Sequence, residues 1–385
     1  MKTNYLLASL VLTASMFITS CEDKTKSDPI INTTNILSGT ISTPTTLTAD
    51  KVWIVDGDIS IESDLIIMPG TTIKFKPGAS MSIGYSNFAS LVAVGLPDKP
   101  IIFTSAALIP SPGDWDGVYF YGSNSKTATK LAFVTIQYAG YYDSEGALNL
   151  IGTGISFISC TIQKNKYHGV VLDEESEFTS CALNTIKENG TYAISCTGDQ
   201  AMTLAPTNSI LAVAGYGIHI DYTTITKKGT WNMFSAPYVI EADLSIESAN
   251  TAELTIAPGT IVKFTSNSSL SVGYGTSGKL IANGTALLPI TFTSNASSPS
   301  KGDWEGLFFY SNVANGTLLN NCVVSYVGSY YLDGAITFHD IQSKVAVSNT
   351  TVSNSIYAAI LSDAGSAPVL TNITYVNCTS NLVQE

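Results

Sequence analysis

"TIQKNKYHGVVL" (161–172) is a short β-prone run, a turn carrying Asn165, and a second β-prone run. "NTIKENGTYAI" (184–194) repeats that shape about one coil later, and "TVSNSIYAAIL" (351–361) repeats it again near the far end. Short strands alone fit a sandwich as well as a solenoid. The recurring order of strand, Asn turn and strand decides for the solenoid. In a parallel coil each turn passes the chain from one sheet to the next, so Asn stacks on Asn and apolar residues stack inside. Cys160 and Cys181, in the matching frames "FISCTI" and "FTSCAL", lie 21 residues apart, which fits one rung. At about 22 residues and ~4.8 Å per rung the chain would form some 15 rungs, on the order of 70 Å in all.

The chain also repeats on a longer scale, which is the first thing to look for in a solenoid. "LIIMPGTTIKF" (65–75) recurs as "LTIAPGTIVKF" (254–264), and "SMSIGY" (80–85) as "SLSVGY" (269–274). "PIIFTS" (100–105) recurs as "PITFTS" (289–294), and "GDWDGVYFY" (113–121) as "GDWEGLFFY" (302–310), all at an offset of 189. "YAGYYDSEGAL" (138–148) matches "YVGSYYLDGAI" (326–336) at 188, and "DISIES" (58–63) matches "DLSIES" (243–248) at 185. A four-residue insertion that includes Ala249 and Asn250 accounts for the last change and marks a loop. Within each copy the segments are short and rich in Ile, Val, Thr, Phe and Tyr, punctuated by Gly, Pro, Asn, Asp and Ser. Strands are expected at Val52–Val55, Ile59–Ile61, Leu65–Ile67, Ile73–Phe75, Met81–Ile83, Leu91–Val94, Ile101–Phe103 and Val118–Tyr121. No sustained helical period with caps follows residue 20, so the fold class is all-β.

On "LTIAPGTIVKF", "LIANGTALLPITFTS" and "GDWEGLFFY", with their first-copy partners, the sequence resembles the right-handed parallel β-helix, or pectin-lyase-like, repeat proteins. More narrowly it resembles surface lipoproteins of Bacteroidota-type bacteria. The resemblance covers most of residues 46–385 and implies a β-solenoid with internal duplication. It marks a fold more than an activity, because the fold hosts many functions.

The first residues set expectations about location. Lys2 precedes an apolar run from Tyr5 to Ile18 that is too short to span a bilayer and ends at Cys21 through "ITSC". Small residues before that cysteine resemble a bacterial lipobox, which implies cleavage before Cys21, lipidation of its thiol and a stable hold on a membrane surface. An ordinary signal peptide is the alternative. The expected division is a lipoprotein signal at 1–20, a flexible tether at 21–37, a first β-helix copy at 38–229 and a second at 230–385, continuous with the first or abutting it. The expected place is the cell envelope, as an outer-membrane lipoprotein; Glu22 and Asp23 after the cysteine fit a surface-export signal.

A formal net charge of −12 excludes nucleic acid and anionic lipid surfaces as expected partners. The sequence contains no arginine. That bears on the enzymatic reading, because the β-helix resemblance implies pectate cleavage with Ca²⁺ held on Asp clusters and an arginine as base. The β-helix polygalacturonases imply several aspartates and a Gly-His-Gly element; the nearest approach here is "YHGVV" around His168, whose second-copy counterpart carries Ala358. His219 and His339 have no partner signature in the sequence. Five cysteines besides Cys21 form no metal-ligand spacing, and the pairing of Cys160 with Cys181 stays open.

Two candidate sites remain. Asp114 and Asp116, repeated as Asp303 and Glu305, flank a tryptophan, and in extended backbone would project to one side about 6–7 Å apart. That is an acidic pair of glycosidase type, or else the outer side of a corner plugged by Trp115 and Trp304, with Gly117 and Gly306 shifting the strand phase. The second candidate is Tyr141, Tyr142, Asp143 and Glu145, with Tyr330, Tyr331 and Asp333 in the second copy. These could form a sugar-stacking platform or a weak Ca²⁺ site, or a tyrosine ladder stiffening the loop edge. The reading is a non-catalytic, lipid-anchored surface protein that binds glycan or another surface protein, or supports adhesion. The alternatives are a divergent polysaccharide lyase or glycoside hydrolase, and a structural or assembly protein of the envelope.

Overall fold

The computed structural model describes residues 35–122, 128–142, 145–213, 215–221, 224–328 and 334–384. Cys21 and the expected signal segment, residues 1–20, lie outside them. The β-prone runs form short strands stacked in parallel ladders, and the chain is an all-β right-handed parallel β-helix. In the first copy, one face carries Thr72–Phe75, Ile101–Ser105, Val134–Gln137, Thr161–Gln163 and Thr185–Lys187. A second face carries Met81–Ile83, Val118–Tyr121, Gly146–Ile151, His168–Leu172, Ile194–Cys196 and Ile218–Ile220. A third carries Asp64–Ile67, Ser90–Val94, Lys130–Ala132, Gly154–Ile158 and Glu177–Ala182. Several expected strand ends move by one or two residues, and one division is lost: Val52–Val55 and Ile59–Ile61 are read as two strands but Trp53–Ile61 is a single one, whose two halves join the first and second faces.

The period-2 pattern explains the packing. In Thr72–Phe75, Ile73 and Phe75 are fully buried while Thr72 and Lys74 face outward. Because register is parallel and in step, each inward residue meets its like on the next rung: Ile83 meets Phe120, which meets Leu150, which meets Leu172. Polar turns stack by the same rule. Asn165 Nδ2 donates to Asn189 Oδ1 at 2.8 Å and Asn184 Nδ2 to Asn208 Oδ1 at 3.1 Å, so the Asn turns of the opening stretch stand on one another. Cys160 and Cys181 are both free and buried, and burial pushes each thiol up to about 12.

Rung length is less regular than the sequence suggests. Along one ladder the step is 20 residues from Ile218 to Tyr238 but 37 from Met81 to Val118. The extra residues sit in corner loops, where they do not disturb the ladder.

One ladder runs unbroken from Ile36–Ile41 through both copies to Thr374–Val376, fourteen strands in thirteen parallel steps. At ~4.8 Å per step it spans roughly 60 Å. The copies do not superpose by translation along it. "TIKF" (72–75) lies on the first face, whereas its counterpart "IVKF" (261–264) continues the ladder of the second. The shift arises at residues 197–237. There the four-residue helix Gly198–Ala201 takes the place of a third-face strand, with Thr197 and Gln200 forming a reciprocal capping box. The second copy is thus turned by one face relative to the first.

Candidate functional site

The tryptophans of the two "GDW" corners are built into the core. Trp115 is fully buried, stacks on Phe75 with ring centroids 4.0 Å apart, and donates its indole N–H to Gln137 O at 2.9 Å. Trp304 repeats this with Phe264 and Ser325 O, at 4.0 and 2.9 Å. Asp114 accepts from Ser105 Oγ at 2.6 Å and the Ser111 amide at 2.9 Å; Asp303 accepts from Ser294 Oγ and the Ser300 amide at the same distances. These two acids brace their own loops.

Asp116 turns elsewhere. The extended-strand expectation that it projects beside Asp114 fails, because the chain bends at Asp114 and Trp115 rather than running as a strand, and Asp116 accepts from Tyr119 Oη at 2.8 Å. The same hydroxyl contacts Glu145, which comes from the loop one rung on. Thus Asp116 and Glu145, from separate sequence candidates, meet across one tyrosine. Asp116 is buried, its Oδ1 has no hydrogen-bond partner among the described residues, and burial, then the charge of Glu145, raises its carboxyl above the usual range against the lowering hydrogen bonds from the Tyr119 hydroxyl and the Tyr142 backbone. Val118 and Phe120 point into the core as the sequence suggests. In the second copy Phe308 replaces Tyr119, so that hydroxyl is lost; Glu305 is half-buried.

Tyr141 and Tyr142 are exposed, at 47% and 59%, in an edge-to-face pair with centroids 5.0 Å apart. Asp143, Tyr330, Tyr331 and Asp333 lie outside the described residues. Among the described residues no three His, Cys, Asp or Glu side chains stand where they would share a metal ion.

A duplicated aromatic pair stands at the far corner of this face in the first copy and of its rotated counterpart in the second. Tyr85 lies edge-to-face on Tyr121 at 5.0 Å, and Tyr274 on Tyr310 at 4.9 Å, with interplanar angles of 79° and 78°. Tyr85 and Tyr274 are each 66% exposed. Their loops are pinned alike: Glu62 accepts the Ser86 and Asn87 amides, and Glu247 accepts those of Gly275 and Thr276. Against the push of burial, hydrogen bonds from Ser60, Asn87 and Ser86 hold the Glu62 carboxyl below its usual range. In the second copy His339 stacks on Tyr310 at 5.0 Å. The signal was present in the repeated "SMSIGY" and "SLSVGY", whose last residue is the exposed tyrosine.

A third constellation was missed by the sequence reading. The outward column of the second face runs Tyr119, Asn149, Val171, Ser195, His219. Ser195 Oγ lies 2.9 Å from His219 Nδ1, and His219 Nε2 lies 3.2 Å from Glu241 Oε2. Asp221 Oδ1 is 3.3 Å from Nδ1. Tyr192 donates its hydroxyl to Glu241 and stacks on His219 with centroids 4.6 Å apart. On its other side lies His168, bonded through Nδ1 to Thr191 at 2.8 Å, its imidazole pushed down by burial and then by His219. A cleft lined by Glu174, Glu175, Glu177 and Asp199, with Lys227 as its one lining cation, adds to the acidic surface of this copy.

Parallel ladders joined by corner loops define a parallel β-helix, and its tryptophan plug recurs in both copies. The chain belongs to the pectate-lyase-like β-helix domain family, whose model matches residues 39–186 and 223–329. Comparison with curated proteins and with solved structures gave no match.

Proposed function

We propose that the chain is a lipid-anchored cell-surface protein that binds polysaccharide through paired tyrosines, without cleaving the polymer backbone. The observation that carries this reading is the duplicated platform, Tyr85 on Tyr121 and Tyr274 on Tyr310, with equal exposure and the same glutamate-pinned loop in each copy. An exposed aromatic face packs on the apolar face of a sugar ring, and an exposed tyrosine held by its neighbour loses little freedom on binding. Tyr141 and Tyr142 add a second exposed aromatic pair to the first copy. Backbone cleavage is disfavoured by the absence of arginine and by the separate engagement of Asp114 and Asp116. The carboxylates on this face favour a neutral polymer over a polyuronate.

Affinity electrophoresis through gels containing neutral and acidic polysaccharides tests the reading. Retardation is expected in at least one neutral polymer, with Tyr85→Ala plus Tyr274→Ala restoring free mobility. Equal retardation of the double variant would refute it. The anchor is tested separately: Cys21→Ser is expected to release the protein from the membrane fraction, and unchanged retention would count against lipidation.

A further inference from the structure

We propose that Ser195, His219 and Glu241 form an ester-hydrolysing site, acting on small acyl esters of neutral sugars. The sugar part rests on the polysaccharide-binding reading; the ester part stands on its own geometry. The three residues come from successive rungs: Ser195 pairs with His219 in register, His219 with Val239, and Glu241 follows that last strand. The fold does not require them there, since other rungs of the outward column hold Ser82, Val171, Val239 and Lys263.

The Ser195 hydroxyl has two acceptors in reach, His219 Nδ1 at 2.9 Å and Asp221 Oδ2 at 3.4 Å, and the shorter contact is to the imidazole. With Nε2–H donating to Glu241 at 3.2 Å, His219 Nδ1 presents a lone pair to the Ser195 hydroxyl at 2.9 Å. Serine hydroxyl, imidazole and carboxylate in that order are a nucleophile, its base and the group that fixes the base. Glu241 is itself held, by the Tyr192 hydroxyl on its other oxygen, and the Tyr192 ring lies parallel to the imidazole within 16°. Asp221 at 3.3 Å from Nδ1 completes a carboxylate on each side of the ring, so an imidazolium formed in the reaction is stabilised from both ends.

The steps balance without a cofactor. Ser195 Oγ adds to the ester carbonyl carbon as its proton passes to His219 Nδ1. The bond from that carbon to the alkoxy oxygen breaks, and Nδ1 returns the proton to the departing alkoxide, giving the free alcohol and an acyl-serine. Water then adds to the acyl carbon, losing a proton to Nδ1, and that proton returns to Ser195 Oγ as the carboxylic acid leaves. Asp221 and Glu241, with the nearby acidic cleft, repel an anionic acyl group or polyuronate. Tyr216, edge-to-face on Tyr192 at 5.0 Å, offers an apolar wall for a short acyl chain.

The full chain is incubated with a fluorophosphonate probe, p-nitrophenyl acetate and acetylated xylan, and the labelled peptide is identified by mass spectrometry. Label at Ser195, ester turnover above buffer and acetate release from xylan are expected. Ser195→Ala should abolish all three, His219→Gln should lower turnover by about 100-fold or more, and Glu241→Gln should lower kcat by about 10-fold with KM little changed. Should Ser195→Ala fail to fold, Ser195→Cys serves instead. Ser195 is itself only 6% exposed, so the difference rests on its neighbour: beside the His219 imidazole the thiol is expected to take up iodoacetamide at least about tenfold faster than Cys160 and Cys181, which have no such base. A folded wild type that takes no label at Ser195 and turns over no ester, or a Ser195→Cys thiol no faster than Cys160, overturns the site. Turnover of the small ester without acetate release from xylan overturns the sugar assignment alone.

Discussion

The two acids of "GDWDG" show how one residue type takes different work two positions apart. Asp114 is spent on its loop, while Asp116 is buried beside Tyr119 and Glu145, one oxygen having no partner among the described residues. The folded pKa of Asp116 is raised, so the folded state binds the proton more tightly than the unfolded chain. Its contribution to stability is therefore fullest below the unfolded carboxylate value and is lost as pH rises through the folded value. Asp116→Asn removes that loss while keeping an acceptor for Tyr119. Melting curves should show the variant equal to wild type near pH 3 and more stable at pH 7, by about 1 kcal/mol. Trp115→Ala should cost about 3–5 kcal/mol by chemical denaturation, because it leaves a cavity against Phe75 and an unpaired Gln137 carbonyl. The plug was legible in the sequence, since Trp115 reads as inward and a phase shift at Gly117 lets Val118 and Phe120 face inward as well. The meeting of Asp116 with Glu145, and of Ser195 with His219 and Glu241, was not. Those partners lie a rung apart, and only the register of stacked strands reveals which residues face one another. The 24-residue step from Ser195 to His219 is a rung length, the cue already used for Cys160 and Cys181.

At the scale of the element, corners rather than strands carry the irregularity. The turn from the third face to the first is a single left-handed residue: Phe133, Ser159 and Leu183 in the first copy, at φ 50°, 55° and 60°. The corresponding corners of the second copy use Asn321, Asn349 and Asn372, at 49°, 47° and 52°. Asn tolerates this conformation better than a bulky residue and can bond along the axis, as Asn372 Nδ2 does to Asn349 Oδ1 at 2.8 Å. Leu183 is exposed, so it gains no burial in return for the strain. Leu183→Asn is accordingly expected to stabilise the protein by about 0.5–1 kcal/mol in denaturant titrations. The Asn stacking of the opening stretch was readable because strand, turn and strand recur; the loop lengths were not, since residues added outside the ladder leave no trace in its period.

For the whole molecule the duplication matters more than either copy. The two tyrosine platforms stand on one solenoid, the first on the unbroken ladder and the second one face away from it. From the rung of Tyr121 to that of Tyr310 is seven steps, roughly 34 Å along the axis. Two sites so displaced and rotated suit two polymer strands, or two stretches of one flexible strand, and linked sites raise avidity for polymer far above that for a short oligomer. The sequence displayed the duplication but not the rotation, which originates where the short helix interrupts the third face. Calorimetric titration with a short oligosaccharide of the polymer that retards the protein tests the central claim most directly. Two sites per chain are predicted for wild type, and one for either Tyr85→Ala or Tyr274→Ala. Two sites retained in both variants, or no binding by a wild type that is retarded in the gel, would contradict it.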